Sequence, residues 1–403
     1  MKYLVLLADG MADYPLEELA GKTPLEVAHT PHMDLLAREG FLGLVDTIPP
    51  GMKPGSDVAN LSLLGYDPTR TYPGRAPLEA ASMGVRLGPE DVAFRCNLVT
   101  LGDGENPIMI DFTAGHIETQ EARVLIEGLN RALGDERREF YPGVSYRHLF
   151  VWRGGEDGME TTPPHDITGQ GSVPYLPKGP GASVLVEMME QARQFLEAHP
   201  LNVRKRERGK KPANAIWLWG QGRAPQLGKI TERYNIRGGM ISAVDLLNGI
   251  GHYAGLEIIR VPGITGYIDT NFRGKAEYAL NALKEMDFVF IHVEAPDEMG
   301  HEGNIKGKID ALEKIDGEVL GYLLAQVNVI HPVRILLASD HPTPISLRTH
   351  AADPSPFALW SSVGEERVPS GFDFSEKNAK LSGNFVSPGY WLMDILFNWR
   401  KGD

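Results

Sequence analysis

The sequence predicts an α/β protein with a mostly parallel β-sheet flanked by helices and a smaller α+β domain inserted into it. Three strongly apolar runs, at 3–8, Phe288–Val293 and Val333–Ala338, have the length and composition of strands buried on both faces of a parallel sheet. Helical segments are predicted between such runs, and this alternation is typical of parallel sheets. Polar residues that follow these strands are therefore expected to meet at one edge of the sheet.

The inserted domain is indicated by a change in pattern near residue 93. Strands are predicted at 93–101, 108–112 and Arg147–Trp152, with a helix at Thr119–Leu133. We therefore expect a main domain in two pieces, 1–92 and 182–403, and an inserted domain at 93–181.

The alternation of strand and helix resumes after the insert. Helices are predicted at 182–199, 240–249 and 274–286, and a strand at 215–219. Gly220 and Gly222 follow that strand, but a third glycine is missing and Pro225 interrupts the segment. This excludes a dinucleotide-binding fingerprint.

Composition excludes several classes of protein. The chain has 403 residues and a formal net charge of −13, which argues against a nucleic-acid partner. One basic segment, 204–211, is interpreted as a solvated linker. The single cysteine, Cys96, excludes an internal disulfide framework. With no apolar run long enough for a membrane span and no signal peptide, we expect no membrane partner and a cytoplasmic location.

A turn at Gly55-Ser56 carries the candidate nucleophile. It follows the predicted strand Phe41–Val45 and precedes a short amphipathic helix. Backbone N–H groups at a helix start suit an incoming phosphate, and a serine exposed there is a plausible nucleophile. A serine in this position is also a common helix cap, so other residues must decide between the two.

Side chains that bind metal ions follow several predicted strands. They are Asp9, Asp297, His301, Asp340, His341 and His350. Buried carboxylates are costly unless they meet a cation, so their recurrence at strand ends points to metal binding.

The spacing of these residues divides them between two ions. The four-residue spacing of Asp297 and His301 places both on one side of a helical turn, and His350 completes their set. Asp9, Asp340 and His341 form the second set with the Ser56 oxygen. Two neighbouring cations stabilise the attacking and leaving oxygens of phosphoryl transfer and favour a serine alkoxide. Mixed Asp and His ligation suits Mn²⁺, our first expectation, or Zn²⁺ or Co²⁺.

The whole set resembles the alkaline phosphatase superfamily, and within it the archaeal-type 2,3-bisphosphoglycerate-independent phosphoglycerate mutases. The resemblance covers essentially the full length. Its motifs are Asp9-Gly10-Met11-Ala12-Asp13, Pro54-Gly55-Ser56-Asp57-Val58-Ala59-Asn60, Phe94-Arg95-Cys96-Asn97, Glu294-Ala295-Pro296-Asp297, Ser339-Asp340-His341-Pro342-Thr343-Pro344 and the His350 loop.

The resemblance implies an alkaline-phosphatase-like fold and an isomerase that interconverts 3- and 2-phosphoglycerate in glycolysis. Ser56 would carry the phosphate, and the insert would be a cap that excludes water from the intermediate. No bisphosphoglycerate and no nucleotide would be needed. Arginines, a His/Asp pair and a lysine bind the substrate in such enzymes, and those roles fall on Arg147, His165, Asp166, Arg223 and Lys275.

Three other interpretations fit some of these residues. A homoserine-kinase-like phosphotransferase would need a nucleotide site, and the sequence has no glycine-rich phosphate loop. A phosphomonoesterase would keep every metal ligand and differ in how well the cap excludes water. A metal-binding regulator without catalysis would have no need of Ser56.

Overall fold

The chain forms two compact units in a computed structural model, which describes residues 1–399. The first unit contains Met1–Tyr72 and the chain from Gln226 onward, and the second contains Pro73–Pro225. The strands are β1 Lys2–Ala8, β2 Phe41–Val45, β3 Val92–Leu101, β4 Met109–Asp111, β5 Arg138–Val144, β6 Arg147–Trp152, β7 Ala215–Arg223, β8 Gly238–Ile241, β9 Glu257–Ile258, β10 Phe288–Val293, β11 Val333–Ala338, β12 Ser355–Ser361 and β13 Phe385–Val386.

Helices occur in both units. They are α1 Pro24–Val27, α2 Pro31–Glu39, α3 Ser56–Leu63, α4 Pro68–Thr71, α5 Arg75–Ser82, α6 Thr119–Leu133, α7 Ala182–Ala198, α8 Pro200–Glu207, α9 Ile230–Arg233, α10 Asp245–Tyr253, α11 Phe272–Glu285, α12 Ala295–Glu302, α13 Ile305–Lys314, α14 Tyr322–Ala325, α15 Glu376–Leu381 and α16 Trp391–Asn398. Among residues 1–399, none is both long and apolar enough to cross a membrane.

The first unit is built on one sheet with the strand order β13-β2-β12-β11-β1-β10-β8-β9. β1 pairs in parallel with both β10 and β11, and β12 runs antiparallel to its neighbours β11 and β2. Every residue of β10 and β11 is buried, because helices cover both faces. This confirms the predicted mostly parallel sheet flanked by helices.

The second unit is built on a separate sheet in which β3 pairs antiparallel with β4, β6 and β7. α6 and α7 pack on one face of that sheet and share its apolar core with Phe94, Cys96 and Trp217. On the other face, α5 packs through Ala76 and Ala80.

The bounds of the second unit differ from the predicted insert at 93–181. The strand predicted at 215–219 is part of β7, which pairs with β3 and extends to Arg223. α7, predicted to belong to the main domain, packs on β7 through the core of the second unit. The unit therefore takes in the chain from Pro73 to Pro225. Pairing between β3 and the distant β7 determines where this unit ends, and a local sequence pattern does not show such long-range pairing.

One predicted element is wrong in type. The helix expected over 240–249 is divided between β8 and α10. Met240 and Ile241 pair in parallel with Phe290 and Ile291, so the apolar residues that suggested a helix complete the sheet instead. A short apolar run cannot be assigned by periodicity alone.

Candidate active site

The candidate metal ligands lie where the three central strands of the first unit end. β1, β10 and β11 are neighbours, so their carboxyl ends share one edge of the sheet. Asp9 follows β1 directly, and Asp340 and His341 follow β11 after one residue. Asp297 lies in the first turn of α12, which begins just after β10.

Asp297, His301 and His350 form the first group. Asp297 and His301 stand one turn apart on α12, and the Asp297 carboxylate lies 3.2 Å from His301 Nε2 and 3.5 Å from His350 Nε2. The two imidazole Nε2 atoms are 3.0 Å apart. All three side chains thus converge on one point, as ligands of a shared cation would.

Asp9, Asp340, His341 and Ser56 form the second group. His341 Nε2 lies 3.6 Å from Asp9 Oδ1, 3.4 Å from Asp340 Oδ2 and 3.2 Å from Ser56 Oγ. Ser56 is the first residue of α3, and Gly55 precedes it as the helix cap. The candidate nucleophile Ser56 therefore lies beside the candidate ligands Asp9, Asp340 and His341.

Backbone and side-chain donors fix the Asp340 carboxylate. Oδ1 accepts hydrogen bonds from the backbone N–H groups of Gly10 (3.0 Å) and His341 (2.9 Å). Asn60 of α3 donates to Oδ2 at 3.1 Å and to the Ser56 carbonyl at 2.8 Å. Gly10 has φ +60°, and a Cβ there would meet Asp297 Oδ1 at 2.6 Å. Only glycine allows this approach.

The charges of this edge call for cations. Asp9 is fully buried, and burial together with the nearby carboxylate of Asp340 raises the pKa of Asp9 well above its ordinary value. Its Oδ1 has no hydrogen-bond partner among the described residues. Burial would also raise the pKa of Asp297, but hydrogen bonds from His301 and His350 outweigh it and hold that pKa well below the usual range. The donor set therefore fits divalent metal ions at both groups.

Two residues of this edge were missed by sequence reasoning. His292, in β10, places Nε2 2.8 Å from Asp9 Oδ2 and Nδ1 3.1 Å from Ser242 Oγ. Burial lowers the pKa of His292 well below its ordinary value, so the ring is neutral and shares a hydrogen bond with Asp9. Glu294 Oε2 is buried without a hydrogen-bond partner among the described residues, and Asp9, His292 and Glu294 form a third group with metal-ligand spacing.

Lys275, a predicted substrate-binding residue, lies inside the first unit. Its side chain is 0% exposed, and Nζ donates to the His292 carbonyl oxygen at 2.7 Å. Burial lowers the pKa of Lys275 to about 8. The ammonium group therefore supports the end of β10 at His292, the residue whose ring contacts Asp9. The structure therefore excludes an exposed position for Lys275 on α11.

In the second unit, Arg147 and His165 lie along one row of aromatic rings. The Arg147 guanidinium stands 5.6 Å over the Tyr146 ring, and Tyr146 packs edge-on against Phe112 at 6.0 Å. Phe112 in turn lies 5.9 Å from the His165 ring, which is 5.5 Å from Trp219. The structure brings these two predicted residues to a common aromatic row.

The other predicted residues of the second unit differ in their surroundings. Asp166 is exposed, and its Oδ1 lies 3.5 Å from His165 Nε2. Arg223 forms ion pairs with Asp157 at 3.0 Å and Glu90 at 3.4 Å, so its charge is already compensated. Arg95, which sequence reasoning quoted in a motif but did not assign, lies 4.3 Å over the Trp219 ring. All ten residues of β3 are buried, and the polar residues Arg95 and Asn97 within this otherwise apolar strand are the signal that could have found it.

Solved structures share this fold. A protein from Pyrococcus horikoshii aligns with a TM-score of 0.83 and 31% identity over 100% of this chain and 98% of the other. The cofactor-independent phosphoglycerate mutase from Thermoplasma acidophilum aligns with a TM-score of 0.69 and 26% identity over 99% of each chain. Fold and edge ligands thus define an α/β protein of the cofactor-independent phosphoglycerate mutase type.

Sequence relatives identify the family. A sequence model of the 2,3-bisphosphoglycerate-independent phosphoglycerate mutases matches residues 37–202. The mutase of Methanosarcina barkeri is 52% identical over 98% of this chain and 99% of its own length. The second mutase of Methanothermobacter thermautotrophicus is 52% identical over 99% of this chain and 98% of its own. The chain belongs to the 2,3-bisphosphoglycerate-independent phosphoglycerate mutase family of isomerases, as its motifs indicated.

Proposed function

We propose that the chain interconverts 3-phosphoglycerate and 2-phosphoglycerate through a phosphoserine at Ser56. One observation carries the proposal: Ser56 Oγ lies 3.2 Å from His341 Nε2, within the group that also holds Asp9 and Asp340. Family membership supplies the substrate class. A hydroxyl so close to metal-ligating side chains is placed to act as a nucleophile.

The proposed reaction has two transfers that mirror each other. Ser56 Oγ loses its proton and bonds to phosphorus, while the bond from phosphorus to one glycerate oxygen breaks and that oxygen gains a proton. The glycerate then turns, its other hydroxyl loses a proton and takes the phosphate, and Ser56 regains its own. Neither transfer consumes a second phosphate donor, so neither ATP nor bisphosphoglycerate is required.

The residues divide into metal ligands and substrate contacts. Asp297, His301 and His350 would hold one divalent ion, and Asp9, Asp340, His341 and Ser56 the other, with Mn²⁺ as our first choice. Bound there, the ions would supply positive charge that favours the ionised serine and offsets charge on the phosphate. The fixed hydrogen bonds to Asp340 keep that carboxylate oriented without rearrangement during the reaction.

Substrate contacts are proposed for Arg147, His165 and Asp166. Arg147 makes no ion pair with any of residues 1–399, so its guanidinium is available to a carboxylate or phosphate. Arg223 would have to exchange Asp157 and Glu90 for substrate. Lys275 would act through β10, because its ammonium is buried against the His292 carbonyl.

The test is a product analysis with 3-phosphoglycerate and a divalent metal, without ATP or bisphosphoglycerate. We expect 2-phosphoglycerate, little free phosphate and a protein mass increase of one phosphate. Ser56→Ala should form no 2-phosphoglycerate and show no mass increase. Ser62→Ala, which changes the other serine of α3, should keep isomerisation because Ser62 Oγ donates its hydrogen bond to the Thr47 carbonyl and, within residues 1–399, to none of the candidate ligands.

Other outcomes would point to the competing functions. Stoichiometric release of phosphate by the wild type would favour a phosphomonoesterase. ATP-dependent phosphorylation of homoserine without isomerisation would favour the kinase. Ordinary isomerisation by Ser56→Ala would reject the phosphoserine route.

A further inference from the structure

A cavity of about 420 Å³ in the second unit lies among α6, α8 and the segment that follows α8. Its lining has five cationic side chains: Arg204, Lys205, Arg208, Lys210 and Lys211. Only two carboxylates, Glu118 and Glu121, line the same cavity. The chain as a whole carries a net charge of −13, so this local excess of positive charge is unusual for the molecule.

Three of the five cations are uncompensated. Lys205 Nζ pairs with Glu121 at 2.7 Å, and Lys211 Nζ pairs with Asp111 at 2.6 Å. Arg204, Arg208 and Lys210 are exposed and make no ion pair within residues 1–399. Their mutual repulsion is a cost that a bound anion would remove.

Helix capping explains only part of this cluster. Arg204, Lys205 and Arg206 occupy the last turn of α8, where cations favour the negative end of the helix dipole. Arg208, Lys210 and Lys211 come after the helix has ended, yet they line the same cavity. A linker whose charges served only solubility would have no reason to converge there. Arg206, from the same run, does not line the cavity, and its guanidinium donates to the Glu197 carbonyl.

The opposite wall has an unusual backbone. Ala114, Gly115 and His116 line the cavity in succession, with φ angles of +51°, +70° and +52°. Left-handed conformations are rare for residues other than glycine and concentrate at ligand-binding positions. The Thr113 hydroxyl holds the turn by accepting a hydrogen bond from the His116 N–H at 3.0 Å. His116 thus lines the cavity, and its ring also lies edge-on to the Tyr146 ring at 6.4 Å.

We propose that this cavity binds the diphosphate or triphosphate group of a small molecule. Its volume is in the range of small-molecule sites, and three unpaired cations match the charge of a diphosphate. None of the residues assigned to the phosphoglycerate reaction lines it, so this is a second anion site, independent of the proposed function. The observations favour a compact anion over a nucleic-acid strand, because the cations converge on one cavity of an acidic protein.

The test is a calorimetric titration of the metal-loaded full chain at low ionic strength with excess Mg²⁺. Three probes distinguish the source: inorganic pyrophosphate, ADP and adenosine. Arg208→Glu and Arg206→Glu make the same charge change on exposed residues of one run, and only the first alters the cavity. We expect Arg208→Glu to weaken pyrophosphate binding by about tenfold or more, and Arg206→Glu by less than about twofold.

The comparison between variants excludes binding at the metal groups, because both variants leave those groups unchanged. Equal affinity for pyrophosphate and ADP would assign an inorganic or general diphosphate ligand. Tighter binding of ADP would assign a nucleotide. Both outcomes support the proposal. Equal losses in the two variants, no binding by the wild type, or binding of adenosine alone would overturn it. So would length-dependent binding of single-stranded RNA without pyrophosphate binding.

Discussion

The two carboxylate oxygens of Asp9 have different surroundings. This difference matters at the metal edge, the edge of the first unit's sheet where the candidate metal ligands lie. Oδ2 shares a hydrogen bond with the neutral His292 ring, whereas Oδ1 has no hydrogen-bond partner among residues 1–399 and lies 3.6 Å from His341 Nε2. A carboxylate held through one oxygen presents the other in a fixed direction. The hydrogen bond with His292 therefore orients Asp9 for a cation without occupying its ligand position.

His301 makes metal binding depend on pH. The hydrogen bond to Asp297 raises the pKa of His301 to about 9, so the metal-free protein carries a proton there at neutral pH. A protonated imidazole cannot bind a metal, so binding must release that proton. We expect affinity for Mn²⁺ to rise as pH increases towards 9 and to level off above it.

Calorimetry in two buffers of different ionisation enthalpy measures this proton release. At pH 7, wild type should release more than the His301→Ala variant, which should also bind the metal more weakly. His252→Ala, at an exposed position of α10, is the matched control and should behave like wild type. Metal affinity that is independent of pH between 6 and 9 would contradict the prediction.

Lys308 is a second buried residue that serves this edge. Its ammonium group is 0% exposed and donates to the carbonyls of Ala12 (3.2 Å) and Thr343 (2.9 Å) and to Asp13 Oδ2 (2.7 Å). It thus joins the loop after β1 to the loop after β11.

Lys308→Met should leave the Asp13 carboxylate buried without a counter-charge. Loss of one partner of a buried pair costs about 3–5 kcal/mol, so the free energy of unfolding in urea should fall by that order. Lys306→Met, at an exposed lysine of the same helix, should change it by less than about 0.5 kcal/mol. Equal losses in both variants would show that Lys308 contributes only ordinary packing.

At the residue scale, the sequence predicted the candidate ligands that directly follow a strand. Asp9, Asp340 and His341 could be found because a strongly apolar run marks where a parallel strand ends. His292 could not, since it lies inside such a run and only the neighbouring β1 places it beside Asp9. Lys275 was expected at the substrate, but the face that a helix buries is set by tertiary packing.

At the element scale, α12 is the helix on which the first metal group depends. It carries both Asp297 and His301, and it lies against the loop after β11 at Gly300. A Cβ at Gly300 would meet the Thr343 carbonyl oxygen at 2.5 Å. Thr343 also donates to Asp297 from its hydroxyl group. The absence of a side chain at Gly300 therefore sets the distance between the helix and that loop.

Gly300→Ala should displace α12 from this loop and misalign Asp297 and His301. We expect metal affinity to fall by about 10–100-fold, as for the loss of groups that orient ligands, while the sheet remains folded. Gly317→Ala is the matched control, because a Cβ there meets no atom within 4 Å. Metal titration measures the loss of affinity, and a separate circular dichroism spectrum shows whether the sheet remains folded. If Gly300→Ala kept wild-type metal affinity, the loop at Thr343 would be able to move away from the added Cβ without disturbing Asp297 and His301.

Element boundaries divided into those that sequence could predict and those it could not. Phe288–Val293, Thr119–Leu133 and Val333–Ala338 were predicted with the observed bounds, because a single uniform pattern defines each. β8 was missed, since its four residues are too few for periodicity. β5, between two predicted elements, was also missed, since Pro142 and Gly143 interrupt its pattern.

At the scale of the whole molecule, the chain leaves the first unit at Tyr72 and returns to it at Gln226. The candidate metal ligands therefore come from two segments that are far apart in sequence. Asp9 and Ser56 precede the second unit, and the remaining ligands follow it. The second unit supplies cationic and aromatic side chains but no member of the metal-ligand groups found among the described residues. The candidate nucleophile and all the candidate metal ligands therefore belong to the first unit.

Arg147→Ala tests whether the second unit protects the proposed intermediate. A mutase must hold glycerate while Ser56 carries the phosphate, since water would otherwise take its place. Arg147 is exposed, and its guanidinium makes no ion pair within residues 1–399, so its loss should weaken the hold on glycerate and leave the fold intact. We expect total turnover to fall and the ratio of free phosphate to isomerised product to rise. Arg131→Ala, at an exposed arginine in the last turn of α6, should leave that ratio unchanged. A parallel fall in both products would instead mean that Arg147 serves binding or chemistry without guarding the intermediate.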